Sequence, residues 1–178
     1  VRVGAMMTDA GPVSSERVAL FPLSVVLFPG GLLPLRIFEP RYQRMVSECM
    51  REQRPFAVAA IREGPEAGGV ASTASTGTLA RIIDWEQGDD GLLNLLCEGE
   101  QRIEVGSIEV EPDKLLRAEV RRLPAEPPQA LPNELAWTAE LLAELLQRMG
   151  EPFDRLSVAT PTADHVANRL VELLPIPL

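Results

Sequence analysis

The chain has 178 residues, with 17 Lys+Arg against 26 Asp+Glu and a formal net charge of −9. A chain of this length forms one domain, or one with a smaller appendage, and buries roughly 70% of the surface its unfolded form exposes, so it needs neither metal nor disulfide. The single lysine, Lys114, and single histidine, His165, leave no Gly-Lys-Ser/Thr phosphate loop and no supported Ser-Lys or Schiff-base centre; with only Cys49 and Cys97 beside them, they also fall short of a four-ligand zinc site.

In chain order, residues 1–17 are small and polar around Met6-Met7 and are expected to form a flexible tail without the apolar core of a secretory signal. The next 18 residues, Val18 to Leu35, carry no charge, as a membrane span would. Pro22, Pro29, Pro34 and the pair Gly30-Gly31 break any helix there, so short strands are expected at 18–21, 25–28 and 32–38. Pro34 marks the third as an edge or bulged strand. Pro40 then opens a helix with Tyr42, Met45, Val46, Cys49 and Met50 on its apolar face. Arg41, Arg44 and Arg51 fall on the opposite face, and Pro55 ends the helix near Arg54.

Residues 56–61 are a near-continuous apolar run, expected to be a central strand buried on both faces. A Gly/Ser/Thr/Ala-rich loop is expected over 62–77. Residues 78–85 and 92–97 then form a hairpin around Gly88-Asp89-Asp90-Gly91. A second turn at 98–101 leads to strands at 102–110 and 115–123. Pro124, Pro127, Pro128 and Pro132 make 124–132 a stiff linker. Asn133 is the expected N-cap of a helix over 134–149 closed by Gly150. Thr160 or Thr162 is expected to cap a last helix reaching Leu174, ended by Pro175 and Pro177. The pattern is α+β: a β-rich body over 18–123 with one inserted helix, a linker over 124–132 and a helical part over 133–178.

Phe21 to Tyr42 reads FPLSVVLFPGGLLPLRIFEPRY. This segment resembles the opening of the Lon protease N-terminal substrate-binding domain family. Further matches follow in order at Gly77-Thr78-Leu79-Ala80-Arg81-Ile82, Leu93-Asn94-Leu95-Leu96 and Arg117-Ala118-Glu119-Val120. The resemblance implies a mixed, mostly antiparallel pseudo-barrel of the PUA-like type with a C-terminal helical appendage, here without the ATPase and peptidase modules of a full Lon protease. It also implies a non-enzymatic module that binds unfolded or extended polypeptide, with an ATP-dependent protease as a further partner; the chain is either a stand-alone member, the favoured reading, or a fragment. Cys49 and Cys97, read as small buried hydrophobes rather than a bridge, point to the reducing cytoplasm. Catalytic, cofactor and metal residues are expected to be none.

Partner contacts are assigned to Phe28, Pro29, Phe38, Arg41 and Arg44. The competing reading makes the phenylalanines core residues, with Phe38→Ala costing about 3–5 kcal/mol, and the arginines a solvated face. Glu98, Glu100 and Glu104 are read as solvated turn carboxylates, and His165 as structural. RNA binding is the first rival, since PUA-like folds elsewhere bind RNA, but the net charge of −9 opposes it. A small-molecule hydrolase is the second, and would need a pocket joining His165 to a serine. Membrane binding is not expected.

Overall fold

The computed structural model describes residues 15–174; the tail before Ser15 and the expected helix stops at Pro175 and Pro177 lie outside them. Six strands follow one another as β1 (Ser15–Leu23), β2 (Leu32–Ile37), β3 (Phe56–Glu63), β4 (Ser72–Gln87), β5 (Leu93–Val110) and β6 (Leu116–Arg122). Helix α1 (Pro40–Glu52) lies between β2 and β3, and α2 (Ala136–Met149) and α3 (Ala163–Leu173) follow the sheet. The spatial order is β2-β5-β4-β3-β1-β6, and a further pairing of β5 with β6 closes five of the strands into a ring. Only β1 and β3 run parallel. The intervening β2 and α1 supply the long crossover that a parallel pair requires.

Alternation along the ring strands produces two cores. Val18, Leu20, Ala57, Ala59, Leu79, Ile103, Val105, Ala118 and Val120 come from all five ring strands and pack together inside it. Their neighbours Ala19, Phe21, Phe56, Val58 and Ala80 point the other way, against Tyr42, Met45 and Val46 of α1. This double burial explains why 18–21 and 56–61 read as unbroken apolar runs rather than alternating ones. The Phe21 and Tyr42 rings stack with centroids 3.9 Å apart. A third cluster, Leu142, Leu146, Leu156 and Val166, unites α2 and α3 and takes in the half-buried Leu32 of β2.

Several boundaries differ from the sequence expectation. The first strand begins at Ser15, inside the expected tail, because Ser15 to Leu20 pair with β6. Residues 25–28 form no strand; Leu27 turns into the core while Val25 is exposed. The expected loop over 62–77 shrinks to 64–71, since Thr73 and Gly77 already pair with β3. The expected turn at 98–101 is instead a bulge in one continuous β5. Leu79 pairs with Gln101 and Ala80 with Gly99, leaving Glu100 as the extra residue. Asn133 does not cap α2 but opens a 3-10 turn, Asn133–Leu135, leading into it. The capping of α3 holds: the Thr162 hydroxyl accepts from the His165 amide.

Candidate polypeptide-binding surfaces

The Phe28-Pro29-Gly30-Gly31 loop is built into the sheet by its backbone. Gly30 N–H donates to Gly99 O at 2.7 Å and Gly99 N–H donates to Gly31 O at 2.9 Å, extending the β2–β5 ladder into the loop. Gly30 sits at φ +74°, a conformation that favours glycine. Helix α3 pins the loop from the other side. Phe28 N–H donates to the Glu172 carboxylate at 2.7 Å, and the Arg169 guanidinium donates to Pro29 O at 3.2 Å and pairs with Glu172 at 2.8 Å. Arg169 is 2% exposed. Burial lowers the Arg169 pKa, and it pushes the Glu172 carboxyl up to about 7.

Phe28 and Pro29 are half-buried and form one wall of a groove of about 470 Å³. Gln101 and Arg102 of β5, the linker around Pro124, and Asp164 and Asn168 of α3 complete it. The groove lies where the outer edge of β5 passes from β2 to β6. Leu33 to Ile37 pair with 93–97 on one side of it, and Val120 to Arg122 pair with 103–105 on the other.

The structure does not bring the other expected contacts to this groove. Phe38 follows β2 and is 57% exposed, so the reading of Phe38 as a core residue is overturned. Arg41 is 5% exposed, so the expected solvated arginine face does not exist at this position. Its guanidinium donates to Gly69 O, Lys114 O and Glu39, and lies over the Tyr42 ring. Arg44 is half-exposed and ties α1 to the β5–β6 turn through Glu111 and Asp113, with Glu48 as a third partner. Arg41 and Arg44 are therefore braces, whereas Arg51 is solvated as expected and pairs only with its neighbour Glu52.

One surface was missed. Residues 81–87 of β4 pair with β5 alone, so their other edge is unpaired among the described strands. Ile83 is the extra residue of a bulge there, between the pairs Ile82–Cys97 and Asp84–Leu96. Ile83 and Trp85 are 40% and 54% exposed, and with Met50 of α1 they border a concavity of about 540 Å³. The available signal was Asp84-Trp85-Glu86, an aromatic flanked by carboxylates on a strand. Half-buried Cys49 lines this concavity and Cys97 is buried opposite Ile82; burial raises the Cys49 thiol to about 11 and the Cys97 thiol to about 12.

The remaining candidates are occupied or too small. Arg81 pairs with Glu100 at 3.0 Å, and Arg121 with Glu104 at 2.5 Å. His165 does face a cavity that also touches Ser157, but its volume of about 20 Å³ holds roughly one water and no substrate. Burial lowers the His165 pKa. Among the described residues no cluster of three or more His, Cys, Asp or Glu is placed to hold a metal, and no helix is long and apolar enough to cross a membrane.

The described residues form a closed mixed barrel with a helical appendage, a free strand edge and solvent-facing aromatics. The chain belongs to the ATP-dependent protease La (LON) substrate-binding domain family, whose model matches residues 17–177. A Lon protease of Phenylobacterium zucineum is 31% identical over 117 residues, covering 65% of this chain and 14% of the relative. The protein cereblon of Danio rerio is 31% identical over 115 residues, covering 62% and 26% respectively. The chain thus spans between a seventh and about a quarter of these two relatives. The crystal structure of a Lon N-terminal domain protein from Xanthomonas campestris superimposes with a TM-score of 0.69 at 33% identity, over 90% of this chain and 84% of that one. The N-terminal domain of a Mycobacterium avium complex Lon protease shares the fold at 17% identity and a TM-score of 0.53.

Proposed function

We propose that this chain is a receptor for extended or unfolded polypeptide, acting without a catalytic step of its own in cytoplasmic protein quality control beside an ATP-dependent protease. The observation that carries the reading is the exposed Trp85 next to the unpaired edge of β4. A free edge offers backbone hydrogen bonds to any extended sequence, and a neighbouring apolar surface adds affinity without strict side-chain choice. Phe28, Pro29 and Phe38 serve as further apolar contacts, while Arg41 and Arg44 hold the scaffold. The barrel over 18–123 and the helices over 133–178 act as two parts joined by the 124–132 linker.

The arginines support this reading over RNA. Arg81, Arg102, Arg117, Arg121 and Arg122 each pair with a carboxylate, so among the described residues these five arginines leave no unpaired basic patch of the kind that RNA-backbone binding needs. The test is titration with a fluorescently labelled, permanently unfolded protein. Saturable binding that Trp85→Ala weakens about tenfold is expected; no saturable binding at low or moderate salt would sink the reading.

A further inference from the structure

The groove behind the Phe28–Gly31 loop contains chemistry that the fold does not use. Among the described residues, the side-chain carboxamides of Gln129 and Asn168 have no hydrogen-bond partner; both line the groove, Asn168 half-buried and Gln129 exposed. A carboxamide carries donor and acceptor side by side, the pattern that complements a backbone peptide group. Gln129 is held by its main chain: its N–H donates to the Asp164 carboxylate at 3.2 Å, and its carbonyl accepts from Ala163 N–H at 2.8 Å. Asp164 and Asn168 lie one helical turn apart on α3, with the small Ala163 and Ala167 beside them as the floor.

Charge selects the occupant. Arg102 in the groove pairs with Glu126 at 2.7 Å, and Glu100 is matched by Arg81. Asp164 has no cationic partner among the described residues, and bonds to the backbone keep its pKa low despite the opposing effect of burial. An occupant that brings a positive charge to Asp164 and an apolar side chain to Phe28 and Pro29 completes both halves of the site. The Phe28–Pro29 wall is fixed in advance by the Arg169–Glu172 pair, which lowers the ordering cost of binding.

We infer that this groove is a binding site for an extended peptide segment carrying an apolar and a basic side chain, its backbone held by Gln129 and Asn168. The inference rests on the polypeptide reading above and adds a second, more selective site to it.

Fluorescence anisotropy with a labelled nonapeptide of alternating Leu, Ser and Lys, and a counterpart with Glu for Lys, tests it. The Lys peptide is expected to bind at least tenfold tighter than the Glu peptide. Asn168→Ala and Gln129→Ala are each expected to weaken it about fivefold, as loss of one neutral hydrogen bond does. Ala167→Trp fills the groove and is expected to remove binding with the melting temperature unchanged, whereas Trp85→Ala changes it less than twofold. If Ala167→Trp fails to fold, a benzophenone-bearing Lys peptide replaces it; adducts within 123–129 or 163–168 are expected, and adducts confined to 81–87 overturn the site. Equal affinity for the Lys and Glu peptides overturns the charge assignment. Unchanged affinity in the groove variants with loss in Trp85→Ala overturns the groove and leaves the general reading standing. Failure of the wild type to bind either peptide or the unfolded protein overturns that reading itself.

Discussion

The Glu172 carboxylate accepts the Phe28 amide hydrogen across 144 residues of sequence, and so joins the last helix to the loop between the first two strands. Arg169 stands beside the same carboxylate and closes the contact from within α3. Two charges held this far from water stabilise only as a pair, because either one alone keeps its desolvation cost without its counter-ion.

This pair sets one pH response. Glu172 is pushed up to about 7 from an ordinary value of 4.5, so between these values the fold retains a proton that the unfolded chain has released. Its contribution is full below about 4.5 and is lost as pH rises through about 7. Glu172→Gln, which keeps a neutral group beside Arg169 at every pH, is expected to flatten this decline in melting temperature. A wild-type profile with no fall between these pH values would contradict the assignment.

Gly31 lies where a Cβ would collide with the Glu172 carboxylate. Gly31→Ala is therefore expected to push the Glu172 carboxylate off the Phe28 amide and Arg169 and cost about 1–3 kcal/mol. Hydrogen exchange should show the Phe28 amide losing protection before the barrel amides do.

Phe38→Ala is expected to change stability by less than about 0.5 kcal/mol, the usual range for an exposed site, and to weaken unfolded-protein binding. Thermal melts and the binding titration measure the two effects separately. A loss near 3 kcal/mol would return Phe38 to the core.

The network around Arg44 gives the opposite pH response. The Arg44 side-chain bond holds the Glu111 carboxyl below its ordinary value, with Arg117 adding to it. Stability from Glu111 is therefore present above the ordinary carboxylate range and is lost as pH falls through its lowered value. Arg44→Ala is expected to cost about 1 kcal/mol at low salt and less at 1 M, since the guanidinium is 39% exposed. Denaturant melts at the two salt concentrations are the check.

The sheet was legible wherever burial wrote itself into hydrophobic pattern. Val18 to Phe21 and Phe56 to Ile61 announced two-sided burial, and Tyr42, Met45 and Val46 announced the inner face of α1. What escaped depended on partners far along the chain. Glu98-Gly99-Glu100-Gln101 has the composition of a turn, yet Gly99 bonds the 28–31 loop and Glu100 bulges out to Arg81. Arg41 was read as solvated because charge usually is; only the fold brings Gly69 and Lys114 carbonyls to it. In sequence, Arg169 and Glu172 look like an ordinary helix-surface pair at i, i+3. Phe38 carried no signal of its exposure, because its neighbour Ile37 is buried and a β-prone run does not show where its strand stops facing the core. The groove drew its Phe28 and Pro29 wall from motifs seen in advance, but its carboxamides lay in the linker and last helix, where no pattern drew attention to them.

The closure of the ring has a consequence for synthesis on the ribosome. Glu16 of β1 meets Arg122 of β6 at a separation of 106 residues, and β1 finds its other neighbour, β3, only after α1 has been made. Contacts of such high sequence separation form slowly, since the intervening loop must be closed before it is rewarded. Throughout the translation of β2 to β5, the emerging first strand thus keeps at least one edge unmatched, and over that interval it is open to pairing with other chains.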